Sequence, residues 1–566
     1  MNTQASEVRT GVQRFDVAIL GSGIAGGTMA CILAKHGLRV VIFDDHVHPR
    51  FALGESTIGE TSCMLKLLAV RYDVPELEHC SSVEGLEQHV ASSCGMKLNF
   101  GFVYHREGKE QQPDESTQCS VNTFPFGPES HLYRQDVDAY LLHSAVRYGA
   151  VPRQKTVISK VEVASDGVRL ETTDHDVYEV EYVVDGTGHD SLLARTFDLR
   201  DTPTRFKTHS RALFTHMVGV PAFDDVITRS SGQPTPWSKG TLHHMFDGGW
   251  IWAIPFDNRP GSTNTLCSVG ANLDSRTFPR PTDITPQEEW DRLIARFPTV
   301  RKQFANAHPV RNWVSTGRIQ YSSRQTVGDR WMLMSHAAGA VDALFSRGMA
   351  NTFQVLNSAA AMLLDAFKDR RDFSAERFNY IERMNQTALN FNDQLVHGAY
   401  VAFRDFDLWR AWSKVWFLSW HMGFTRIAGT LLDFYERGDR SVFSVFEDAK
   451  FPGSFCPDVP EFQETFASLV NVIDRVESGA VAVDEAPATL SRTFAEASFA
   501  PTPLNLWDVF RRFHDGTADS MRRMHDWGEK KSPAEIRRYY QYDFQKVVDR
   551  YGMPHDASLA VAGGVA

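Results

Sequence analysis

Residues 15–45, FDVAILGSGIAGGTMACILAKHGLRVVIFDD, constrain the fold of this chain more than any other stretch. Phe15 to Leu20 form a short apolar run, GSGIAGG interrupts it, MACILAKHG follows with helical spacing, and RVVIF is apolar again. That order predicts strand, glycine turn, helix and strand, one βαβ unit with Gly37 at the helix C-cap. Gly21, Gly23 and Gly26 spell GxGxxG at the turn, and Asp44 ends the second strand. In this context the glycines permit a tight turn and close backbone approach. The helix N-terminus attracts a pyrophosphate, and the carboxylate accepts from a ribose hydroxyl. Asp45 is an alternative ribose partner, one residue out of register. The fold class is α/β, with a Rossmann-like dinucleotide-binding core.

At roughly 100–200 residues per domain, the 566 residues make two to four domains. A net charge of −11, from 59 basic and 70 acidic side chains with no Lys/Arg run, argues against a nucleic-acid partner. The 38 Phe, 15 Tyr and 12 Trp exclude a disordered chain. Cys31, Cys63, Cys80, Cys94, Cys119, Cys267 and Cys456 form no CxxC pair, which predicts no metal site and a reducing compartment. The N-terminus is polar and no run of eighteen apolar residues occurs, so the expectation is a cytoplasmic protein without a membrane span.

Residues 1–14 and 557–566 read as flexible tails, and 15–374 as the dinucleotide module. Stretches such as GWIWAIPF, set between turn-forming residues, predict a mixed β-sheet inserted on the substrate side at about 98–130 and 205–320. Helical periodicity prevails over 375–556, interrupted by an Ala/Pro-rich linker near 478–503. Trp409, Trp412, Trp416 and Trp420 fall on one helical face. Such a stripe is normally core or interface. With Phe403 and Phe406 it could instead wall an aromatic pocket, and a homodimer contact would use it equally well.

Four further segments, HPRFALGES (48–56), YRQDVDAYLL (133–142), VVDGTG (183–188) and SHAAGAVDALFSRG (335–348), resemble the flavoprotein monooxygenase superfamily. The resemblance implies that the dinucleotide is FAD, held by Gly21, Gly23, Gly26, Asp44, Arg50, Ser56, Arg134, Gly186, Gly188, Asp342, Gly348 and Met349. Arg134 would lie on the ribose or pyrophosphate side, its alternative being an ordinary salt bridge, and Gly186 and Gly188 near the adenosine. A second NAD(P)H fingerprint is missing, which permits supply of reduced flavin by a separate reductase.

Trp250, Trp252, Ile254 and Pro255 spell WxWxIP. On pattern alone this is an amphipathic strand. The motif also occurs in flavin-dependent halogenases. Lys97 in ASSCGMKLNFGF and Ser346, Arg347 and Gly348 in LFSRG fit the same family. GPESHLYRQDVDAYLL, RFKTHSRALFTHMVGV and VGDRWMLMSHAAG are similar to the pyrrole and phenol halogenases of the pyrrolnitrin and chlortetracycline pathways, more than to the tryptophan halogenases. The resemblance implies that reduced FAD and O2 form a flavin C4a-hydroperoxide. By the same resemblance chloride or bromide, held by backbone N–H groups in Ser346–Gly348, would attack it to give a hypohalous acid. The WxWxIP strand would part flavin from a small aromatic substrate, and Lys97 would deliver the halogen, as a hydrogen-bonding ammonium or as a chloramine.

Departures from the family pattern bear on substrate. Asp342 is followed by Ala343 rather than proline, Ser335-His336 stands where the superfamily has Gly-Asp, and Phe345 stands where tryptophan halogenases place an acid. Without that base, an electron-rich phenol, pyrrole or polyketide is the expected substrate. His243 and His244 are candidate substrate bases, though packed histidines are the commoner case, and Glu55 is expected to support the flavin loop. The alternatives are an NAD(P)H-dependent aromatic hydroxylase on the same fold and a catalytically inactive flavin-binding scaffold.

Overall fold

The βαβ unit forms as strand Val17–Leu20, helix Ile24–Lys35 and strand Val40–Asp44 in the computed structural model, which describes residues 11–121, 124–227, 232–369, 371–514 and 516–552. These strands run parallel, with Val17 opposite Val40, inside a six-stranded sheet. Tyr182–Asp185 lies on the other side of Val17–Leu20, and Trp331–Leu333 lies beyond it. Every residue of the Val17–Leu20, Val40–Asp44 and Tyr182–Asp185 strands is buried. That explains their near-continuous apolar sequences, since a parallel sheet is covered on both faces. The strand ends therefore bring Gly21, Asp44 and Gly186 to one edge.

The inserted sheet is nine-stranded. Ser210–Val218, Cys267–Asp274, Gly249–Pro255 and Thr241–Phe246 follow one another antiparallel. Thr241–Phe246 then pairs parallel with Asn99–Tyr104, joining the two distant segments in one sheet. A short ribbon of Gly95–Lys97 and Glu129–His131 sets Lys97 opposite Glu129.

Helices Asn379–Ala402, Phe406–Arg437 and Pro460–Glu477 dominate the rest. Two expectations need correction. The stretch read as a linker holds the helix Ala486–Glu496, which buries Leu490 and Phe494 and carries Pro487 in its first turn, where the missing N–H costs no hydrogen bond. Gln13 and Arg14, placed in the N-terminal tail, pair as a strand with Tyr178 and Glu179. Residues 557–566 lie outside the described residues. The C-terminal region also adds Phe513–His514 to the inserted sheet, beside Gln118 and Cys119. Among the described residues, no helix is long and apolar enough to cross a membrane.

The four tryptophans of the stripe are buried within the chain, so they offer no face to a second copy. Trp412 is core: its Nε1 donates to the Leu395 carbonyl at 2.9 Å, and its ring fills the space beside Gly398. Trp409 and Trp416 instead stack against Phe345, with ring centroids 6.4 and 5.3 Å away.

Candidate active site

At the dinucleotide end, Gly21 adopts φ +86, and a Cβ on Gly26 would overlap the Gly21 carbonyl oxygen. Only glycine fits this turn. Gly23 is the N-cap of helix Ile24–Lys35 and supplies no side-chain cap, so its first N–H groups remain available to an anion. Asp44 is buried and accepts from the Ser22 N–H and hydroxyl at 2.9 and 2.6 Å and from Arg50 at 3.1 Å. Burial opposes ionisation of Asp44, but these hydrogen bonds prevail and hold its pKa below the usual carboxylate value. Gly186 packs against Gly21, whereas Gly188, at φ +75, faces open space. Arg134 makes neither an exposed salt bridge nor a free contact. Its guanidinium is bidentate to Asp138, at 2.8 and 2.9 Å, and donates to the carbonyls of Leu53 and Gly54. It thereby fixes the 48–56 loop.

A polar ligand fits this end. The His48 Nδ1, Arg50 Nε and Ser335 Oγ atoms are buried without a partner, in segments bordering the glycine turn and the strand ends. Buried polar atoms left unpaired are rare in folded proteins and call for a partner.

The second end is built around Lys97, whose side chain is fully buried. Its Nζ donates to the Ser56 hydroxyl at 2.7 Å and to the Thr57 carbonyl at 2.6 Å, and lies 3.3 Å from the centre of the Phe100 ring. Burial pulls the Lys97 pKa well below the usual lysine value, and the charge of Glu129 opposes this only in part. Ser56 also contacts Ser346 at 3.3 Å and Thr241 at 2.8 Å. Thr241 meets His131 Nε2 at 3.0 Å, and His131 Nδ1 meets the Pro255 carbonyl at 2.8 Å. A carbonyl can only accept, so Nδ1 carries the proton and Nε2 accepts from Thr241. One ordered chain thus runs from Lys97 through Ser56, Thr241 and His131 to the WxWxIP strand, with a branch to Ser346.

Ser346 is left-handed, at φ 52 and ψ 27, and caps helix Arg347–Lys368 without a side-chain bond to it. The Arg347 side chain turns away into a buried pair with Glu60 at 2.8 Å, stacked on Phe455. Only the backbone N–H groups of Arg347 and Gly348 are therefore offered at the helix start. Met349 packs into the core. Asp342 accepts from Ser210 at 2.5 Å, Tyr400 at 3.0 Å and the Leu344 N–H at 3.0 Å, so it anchors the turn before the helix.

Trp250 and Trp252 are buried with centroids 5.5 Å apart, and Ile254 is buried on the same strand. His243 and His244 are packed: His243 bonds the Gly101 carbonyl and stacks on Phe102, while His244 lies between His105 and Gln303. Burial holds them neutral, at about 3 and about 4. Glu55 accepts from His216 at 2.8 Å and Ser268 at 3.0 Å, tying the 48–56 loop to the inserted sheet. Sequence reasoning missed His131, Thr241 and Glu129. Their only signal was the position of GPESHLYRQDVDAYLL and TLHHMF beside recognised motifs.

The tryptophan halogenase family model matches residues 88–416, and that of the NAD(P)-binding Rossmann-like domain matches 19–66. The chain is 44% identical over 537 residues to monodechloroaminopyrrolnitrin halogenase PrnC of Pseudomonas fluorescens, covering 94% of each. It is 41% identical over 538 residues to tetracycline 7-halogenase of Kitasatospora aureofaciens, covering 95% of this chain and 96% of that one. The crystal structure of halogenase PltM with phloroglucinol and FAD matches at a TM-score of 0.84 and 35% identity, over 88% of this chain and 99% of that one.

Proposed function

The chain belongs to the tryptophan halogenase family and is a flavin-dependent halogenase acting on an aromatic, and from that premise we propose that Lys97 transfers the halogen to a small, electron-rich phenol or pyrrole. Reduced FAD, when bound, reacts with O2 to oxidise halide to a hypohalous acid. Enzymes of this family receive the reduced flavin from a separate reductase. Gly21, Gly23 and Gly26 with the helix start behind them, together with Asp44, Arg50, Gly186 and Ser335, hold the cofactor, while Arg134 and Glu55 fix the loop that covers it.

The N–H groups of Arg347 and Gly348 bind and desolvate the halide at an uncapped helix start. The buried tryptophans of the Gly249–Pro255 strand keep the ring away from the flavin. Lys97 then holds the hypohalous acid by hydrogen bonding or, as the free amine favoured by burial, attacks its halogen, breaking the O–halogen bond to give an N–halogen bond while the amine proton leaves with the hydroxide as water. The named relatives take monodechloroaminopyrrolnitrin and tetracycline, and PltM was solved with phloroglucinol. With Phe345 where a carboxylate base would stand, the ring must be activated by its own heteroatom.

The observation that carries this proposal is the contact from the buried Lys97 through Ser56 to the half-buried Ser346, at 2.7 and 3.3 Å. Lys97→Ala should lower chloride-dependent product by at least about a hundredfold while bound FAD is retained. Unchanged product formation with chloride, FAD and a flavin reductase refutes the role of Lys97.

A further inference from the structure

A hydroxyl has one hydrogen to donate, so a row of hydroxyls anchored at one end points the same way along its whole length. The anchor here is His131. Its Nδ1 lies 2.8 Å from the Pro255 carbonyl, which can only accept, and burial keeps the ring neutral, so Nε2 carries a lone pair and no proton. Thr241, 3.0 Å from that nitrogen, must direct its hydrogen there, and its oxygen takes the hydrogen of Ser56 at 2.8 Å. Ser56 is left to accept only, from Lys97 at 2.7 Å and from Ser346 at 3.3 Å. Lys97, Ser56, Thr241 and His131 are all buried, so bulk water offers none of them another partner.

The direction matters at Nζ. A neutral lysine amine has two hydrogens and one lone pair. Ser56 and the Thr57 carbonyl take both hydrogens, at 2.7 and 2.6 Å, and the lone pair is the position left over. If the row ran the other way, the Ser56 hydrogen would point at that lone pair and cap the nucleophile. An ammonium would hold Ser56 as an acceptor unaided, so the row matters only for the free amine. The backbone guards the anchor. Gly95 lies opposite His131 in the short ribbon, and a Cβ there would overlap the Pro255 oxygen and crowd His131 Nδ1 at 3.1 Å.

We infer that Thr241 and His131 are positioning residues of the halogenation step, holding Ser56 as a pure acceptor so that the Lys97 lone pair stays free for the halogen. The inference rests on the role of Lys97 proposed above. The lone pair attacks the halogen of the hypohalous acid, the N–halogen bond forms, the O–halogen bond breaks, and one amine hydrogen leaves with the hydroxide as water. Thr241 and His131 act through Ser56 alone. The strand Gly249–Pro255 thereby gains a task besides partition, because its last carbonyl sets the polarity of the row.

The test is a double-substitution cycle on the FAD-loaded enzyme with chloride, O2 and a flavin reductase. The acceptor is phenol, pyrrole or phloroglucinol, whichever the unaltered enzyme halogenates fastest. Thr241→Val keeps the shape and removes the hydroxyl, so product per FADH2 oxidised should fall at least about tenfold, and Thr241→Ser should restore it to within about twofold. In the Ser56→Ala background there is no hydroxyl to misdirect, and adding Thr241→Val should cost less than about twofold more. His131→Asn keeps an N–H for Pro255 but is too short to accept from Thr241, so it should behave as Thr241→Val does. Bound FAD and melting temperature are recorded for each variant to show that it is folded and loaded. Unchanged product in Thr241→Val, no restoration by Thr241→Ser, or an equal loss in both backgrounds overturns the inference. Lys97→Ala separates it from the mechanism beneath it. Product lost in Lys97→Ala but kept in Thr241→Val refutes the positioning alone, whereas undiminished product in Lys97→Ala, or none from the unaltered enzyme, refutes both.

Discussion

Two helices begin at the centre of this molecule with no side chain capping them, and they are built in opposite ways. Ile24–Lys35 starts behind glycines, where any Cβ at Gly26 would overlap backbone. Arg347–Lys368 starts behind a serine held left-handed, a conformation that costs roughly 1 kcal/mol for a residue other than glycine. The first brings a dinucleotide pyrophosphate close against the backbone, so side chains are excluded. The second leaves its N–H groups uncapped, where we propose the halide binds, and keeps a side chain whose hydroxyl reaches Ser56, the residue that holds Lys97. The lesson is that a helix start supplies the positive end in both places, while the residue before it decides whether the site is a shape or a link in a chain.

The most severe way to break the first start is Gly26→Ala. The methyl group must displace the Gly21 carbonyl, and overpacking of this kind costs about 1–3 kcal/mol or more. Bound FAD should be lost, read as flavin absorbance of the purified protein, with a lower melting temperature. Full flavin occupancy in that variant would show that the turn is not the cradle described. The second start should break differently. Ser56→Ala removes the link between Lys97 and Ser346 and leaves the glycine turn untouched. FAD should stay bound while product per FADH2 oxidised falls by about tenfold or more. Equal loss of flavin and product would place Ser56 in the cofactor site instead.

The difference also explains what was legible in the sequence. The glycine turn, Asp44 at the end of the second strand and the WxWxIP strand are local patterns, and each lies on the element expected for it, whereas Lys97, for which the sequence suggests no element, ends the short strand Gly95–Lys97. The chain joining them is not local. His131 and Thr241 meet only because Gly95–Lys97 pairs with Glu129–His131 and Thr241 pairs in parallel register with Phe100. No spacing in one sequence encodes those registers. The tryptophan stripe has a helical period that says these side chains share a face, but not that Trp412 meets Gly398, Trp416 meets Phe345 and Trp420 meets a cavity. Likewise the Ala and Pro content of 478–503 suggests a linker, whereas burial of Leu490 and Phe494 makes part of it helical.

Acid should separate the two ends by a smaller margin. Burial, reinforced by the charge of Lys97, holds His131 down to about 3, against roughly 6.5 in an unfolded chain. Between those values the unfolded chain binds a proton that the folded chain refuses. This contribution to stability is intact above about pH 6.5 and is lost as pH falls, by at most about 1.4 kcal/mol per unit. Asp44 behaves in the opposite sense. Its pKa is lowered, so its contribution is present above the ordinary value near 3.9 and is lost only below it. From pH 6.5 to 4 the contribution of His131 should therefore be lost while that of Asp44 is kept. Urea unfolding across that range should show a slope that His131→Gln reduces by about one proton, since the glutamine amide can still donate to the Pro255 carbonyl but takes up no charge. An unchanged slope would mean that His131 is not the neutral link between Thr241 and Pro255, and the contrast between the two helix starts would lose its electrostatic half.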